Sequence, residues 1–143
     1  MEISDVEWKE RLDKIRKILE MNAKNPEAVY YGFLDFDGVI NVFLDPNTPE
    51  YQEIVMEKAK KFQFVDEKCM KRLSDFCLQH SIKIVISSSW RFSGVEYCKK
   101  YLLQGGMDER VPVVGTTEME FSKNREIHIT DYLLEHPDFK GFI

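Results

Sequence analysis

Apolar residues along this chain follow two rhythms. Between residues 4 and 21 they recur at Trp8, Leu12, Ile15, Ile18 and Leu19, the spacing of a single helical stripe. Ser4 and Glu7 stand ahead of that stripe at capping-box separation, and Asn25-Pro26 closes it. The run Val29-Tyr30-Tyr31-Gly32-Phe33-Leu34 is short, continuous and rich in β-formers, which predicts a central strand buried on both faces. Asp45-Pro46-Asn47-Thr48-Pro49 reads as turns, followed by a charged stretch over residues 50–62 with some helical character. Helical period returns over residues 66–80, where Asp66 is placed to cap and Met70, Leu73, Phe76, Cys77 and His80 line one side. Residues 83–86 form a second apolar run, residues 93–104 a helix stopped by Gly105-Gly106, and residues 111–115 a third strand. A helix from about Asn124 to Glu135, closed by His136-Pro137, leads to a fourth strand over residues 139–143.

Strand and helix alternate from residue 29 onward, which predicts an α/β fold: a Rossmann-like three-layer αβα sandwich with a mainly parallel sheet. A length of 143 residues suits one domain. Residues 1–25 then form an N-terminal helical extension and residues 43–62 a small insert. Hydrophobic residues at 43% match a packed interior, and no apolar run approaches the ~18 residues of a membrane span. The N-terminus lacks a signal-peptide pattern, and Cys69, Cys77 and Cys98 show no C-x-x-C spacing. Core thiols in a reducing compartment are expected, hence a cytoplasmic location. A net charge of −5 argues against a broad nucleic-acid footprint but leaves room for a local basic rim.

In a parallel sheet, chemistry gathers beyond the carboxyl ends of the strands. Asp35-Phe36-Asp37-Gly38 stands at the end of the first run. Two carboxylates two residues apart on a strand terminus approach one point as the chain turns, and Gly38 frees the backbone for that turn. Such a pair binds a hard cation, or divides nucleophilic attack and proton transfer between its members. The same four residues also suit a plain turn.

The flanking residues separate these readings. Phe33-Leu34-Asp35-Phe36-Asp37-Gly38-Val39-Ile40-Asn41 resembles the first signature of the haloacid dehalogenase (HAD) superfamily. The resemblance implies that Asp35 is the nucleophile, becoming an aspartyl-phosphate, and that Asp37 protonates the leaving group and then activates water. An Asp in the second position resembles the phosphatases and phosphomutases of the family and not its dehalogenases. Lys83-Ile84-Val85-Ile86-Ser87-Ser88-Ser89-Trp90-Arg91 is similar to the second signature, with Ser87, or Ser88 beside it, holding a phosphoryl oxygen. Its Ser-Ser-Ser-Trp-Arg ending resembles small HAD domains, some of them fused to RNA-repair enzymes. The lone cation of the third signature falls on Lys123, with Arg125 the second choice. The resemblance places one or two further acids after the fourth strand. Here Lys140-Gly141-Phe142-Ile143 looks like the first half of that strand, so the chain is expected to stop before the fourth motif.

These residues imply a magnesium-dependent phosphomonoester hydrolase, with Mg2+ held at Asp35 and Asp37 and a phosphorylated substrate. The small insert implies an open site suited to a bulky phosphorylated end. Two alternatives stand beside it: a non-catalytic HAD-like binding module, and a nucleic-acid end-processing phosphatase. No membrane partner is expected. His80, His128 and His136 lack zinc-like spacing and are expected to be structural or exposed.

Overall fold

The computed structural model describes residues 3–35, 67–88, 93–118 and 124–143. Their elements are α1 (Asp5–Asn22), β1 (Val29–Leu34), α2 (Glu67–His80), β2 (Ile82–Ile86), α3 (Val95–Gln104), β3 (Val113–Thr116), α4 (Arg125–Glu135) and β4 (Phe139–Phe142). The strands form a four-stranded sheet in the order β3-β2-β1-β4, every neighbouring pair parallel. β1 and β2 run in unbroken register from Tyr30 opposite Ile82 to Leu34 opposite Ile86. The expected α/β architecture is therefore present, helices lying on both sides of one parallel sheet.

Strand alternation sorts the side chains onto two faces. Leu34, Ile82, Ile84, Ile86 and Val113 turn to one face, where they pack with Met70 and Cys77 of α2 and with Cys98, Tyr101 and Leu102 of α3. Tyr31, Val85 and Phe139 turn to the other, against Ile15 of α1 and Tyr132 and Leu133 of α4. Two edge-to-face contacts centre on Tyr132, with ring centroids 5.5 Å from Tyr31 and 5.8 Å from Phe33. α1 is tied to α4 by Arg11, which donates to Thr130 Oγ1 at 3.1 Å and pairs with Asp131. Asn22 Nδ2 at its far end donates to the carbonyls of Pro137 and Phe139 at 2.9 and 2.8 Å.

Several expectations shift. β1 is central, yet it is not buried on both faces along its whole length, since Tyr30 is 41% exposed among the described residues. In α2 the buried side chains are Met70, Ser74 and Cys77, while Phe76 and His80 face outward. Ser74 is buried because its hydroxyl accepts from the Asp108 amide at 3.0 Å, an acceptor role that hydropathy does not register. α3 begins two residues late because Gly94, at φ 91°, forms its N-cap in a conformation that side chains avoid. β3 starts after Pro112, whose carbonyl still accepts from the Ile84 amide at 2.8 Å although the proline has no N–H to offer. The insert at residues 43–62, the helical stretch at 50–62 and the Asp66 cap lie outside the described residues.

Candidate active site at the carboxyl end of the sheet

Pairing continues one residue past the assigned ends of β2 and β3. The Ser87 amide donates to the Leu34 carbonyl at 2.8 Å, and the Thr117 amide donates to the Ile86 carbonyl at 2.9 Å. Asp35, Ser87 and Thr117 are thereby held on neighbouring rungs, each the first polar residue beyond its strand or beside it. The period of two puts Asp35 and Ser87 on the face covered by α4, the side of Tyr31, Phe33 and Val85.

From that face α4 supplies a cation. Asn124 caps the helix, its side chain accepting from the Ile127 amide at 3.1 Å, and this fixes where the first turn begins. Arg125, the first helical residue, donates to Asp35 Oδ2 at 3.0 Å. The Asp35 side chain is 29% exposed and that of Arg125 52%, so the pair sits at the rim, where an ion pair by itself is worth at most about 1 kcal/mol. Its value is positional: a guanidinium is held beside the carboxylate that the sequence marks as nucleophile.

Ser87 is 2% exposed and its hydroxyl has no hydrogen-bond partner among the described residues. An orphaned buried hydroxyl is uncommon in folded proteins, and one beside a strand-end carboxylate is a ready donor for an anionic oxygen. Ser88 is fully buried too. Thr117, 1% exposed, was not foreseen; its Oγ1 reaches the Ile86 carbonyl at 3.5 Å. The rule that singles out Ser87, the first polar residue after an apolar run, would pick Thr116 here; only the Thr117 amide's bond to the Ile86 carbonyl and its burial single out Thr117.

Asp37 and Lys123 lie outside the described residues. Among the described residues, Arg125, the second choice of the sequence reading, is a cation that meets Asp35. For magnesium, the donor chemistry fits in kind, because a partly exposed carboxylate at a strand end is a hard oxygen ligand. Asp35 is one oxygen donor of that kind; among the described residues no three of His, Cys, Asp and Glu converge on a point.

A parallel sheet with a nucleophile-type carboxylate after its central strand, a buried serine after the next and a cation at the start of a crossover helix defines a HAD-type domain. A family model described as "HAD domain in Swiss Army Knife RNA repair proteins" matches residues 32–143, and the chain belongs to that family. No curated protein and no solved structure matches it. The matched span leaves out α1, which packs on α4 and β4 from outside it. No helix among the described residues is long and apolar enough to cross a membrane.

Proposed function

We propose that the chain hydrolyses phosphomonoesters through a covalent aspartyl-phosphate. An oxygen of Asp35 attacks phosphorus, and the ester oxygen departs with a proton from Asp37. Asp37 then takes a proton from water, whose oxygen attacks the same phosphorus, releasing phosphate and restoring the Asp35 carboxylate. Ser87 Oγ donates to a phosphoryl oxygen, and Arg125 offsets charge between the carboxylate and the incoming anion. The Asp35 carboxylate and the Asp37 carbonyl are the groups that would hold magnesium, whose chemistry is to neutralise charge on the phosphoryl oxygens. The observation that carries this reading is the meeting of Asp35 with Arg125 beside a buried Ser87 hydroxyl that has no partner among the described residues.

The family's description places its members in RNA repair proteins, which favours a phosphorylated RNA end as the substrate. That agrees with the Ser-Ser-Ser-Trp-Arg ending of the second signature. Asp35→Asn, assayed on an aryl phosphate with magnesium, is expected to lower turnover by about a thousandfold or more, since it removes the attacking group. Activity within tenfold of the parent would overturn the covalent route. A parent protein that binds phosphate analogues but turns nothing over would leave the non-catalytic module as the better reading.

A further inference from the structure

On the α4 face of the sheet, the flank of α4 and the edge strand β3 enclose a groove of about 520 Å³. It opens beside Thr117, and three acids, Glu118, Asp131 and Glu135, stand along it with His128, Asp131 being the one already paired with Arg11. His128 is 3% exposed, and neither ring nitrogen has a hydrogen-bond partner among the described residues. A neutral imidazole carries one donor and one acceptor, and leaving both unused in a buried position costs free energy unless a ligand uses them. Tyr132 forms an aromatic wall, and the exposed His136 stacks on it at 4.0 Å between ring centroids.

The groove is near the candidate nucleophile. Thr117 stands two strands from Asp35, about 10 Å at ordinary strand spacing. His128 follows Arg125 by three residues, about 4.5 Å along the helix. A nucleotide spans such a separation between its phosphate and its base. Carboxylates on the lining disfavour a phosphodiester backbone and favour groups rich in N–H donors.

We propose that this groove holds the base of a nucleotide whose terminal phosphate lies at Asp35, and that it selects bases with an exocyclic amine. Adenine and cytosine present an N–H donor next to a ring-nitrogen acceptor, which the carboxylates and His128 complement. Uracil flanks its single N3–H with two carbonyl oxygens, which the same acids repel, and is disfavoured. The assignment rests on the hydrolase reading for the position of the phosphate, but its test does not.

Nucleosides lacking phosphate are titrated into the full 143-residue chain by calorimetry. Adenosine and cytidine are expected to bind at least tenfold more tightly than uridine, and His128→Leu to weaken adenosine at least tenfold. Should His128→Leu lose its fold by circular dichroism, Glu118→Gln at an exposed position serves instead, with a severalfold loss expected. Equal affinities for adenosine and uridine, no saturable binding, or no effect of the folded variants would overturn the proposal. Aryl-phosphate turnover without adenosine binding overturns the groove alone. Adenosine binding without turnover upholds the groove and overturns the hydrolase.

Discussion

The two faces of the sheet are built from different materials. One is aliphatic and sulfur-rich, with Met70, Ile84, Ile86 and Leu102 almost wholly buried beneath α2 and α3. The other is aromatic and polar, with Tyr31, Tyr132 and Phe139 under α1 and α4, the Tyr31 hydroxyl donating to Asp138 at 2.8 Å, and His128 buried nearby. The aliphatic face fills volume and forms few specific bonds, so what it contributes is burial and close packing. The aromatic face carries directional contacts, and its helix α4 delivers Arg125 to Asp35. Stability and the proposed chemistry are thus largely assigned to opposite sides of one sheet.

That division is open to direct test. The largest effect is expected at Leu102→Ala, which empties a fully buried position on the aliphatic face and should cost about 3 kcal/mol in urea unfolding. Turnover per folded molecule should stay near the parent value, and a large loss there would break the division. On the other face, Arg125→Ala should lower turnover roughly tenfold to a hundredfold while unfolding changes by less than about 1 kcal/mol. Lys123→Ala, measured alongside, separates the two candidate cations. A greater loss at Lys123 would show that the Arg125 contact is only a rim ion pair.

Smaller effects sharpen the contrast. Tyr31→Phe removes a partly buried bond to a carboxylate and should cost about 1.5 kcal/mol at neutral pH. Burial first, then the Asp138 hydrogen bond and charge, hold the Tyr31 pKa well above its ordinary value. The folded state therefore retains that proton longer than the unfolded state does. The contribution is whole below about pH 10 and is lost as pH rises beyond it, so alkaline unfolding should be less steep in the phenylalanine variant. Asn124→Ala, which removes the α4 cap, should cost about 1 kcal/mol and also lower turnover, because the helix start sets the position of Arg125. No change in turnover would uncouple the cap from the site.

Much of this protein is written in local pattern. Apolar runs at residues 29–34 and 83–86, a capping pair at Ser4 and Glu7, and the stop at Gly105-Gly106 determine strands and helices within a residue or two of their observed bounds. The Asp35 signature and Ser87 are legible for the same reason: their chemistry depends on neighbours adjacent in the chain. Other features exist only after folding. Strand order is a matter of which residues meet across the sheet, and no local spacing states it. Thr117 becomes part of the site because its amide finds Ile86, 31 residues earlier, and Arg125 because a capped helix points its first turn at a residue 90 positions away. His128 shows the limit most plainly. Its place in the sequence marks an ordinary helical residue, and only the folded placement of α4 beside β3, with a groove between them, leaves both its nitrogens buried and, among the described residues, unpartnered, because burial belongs to the surrounding structure and not to the residue itself.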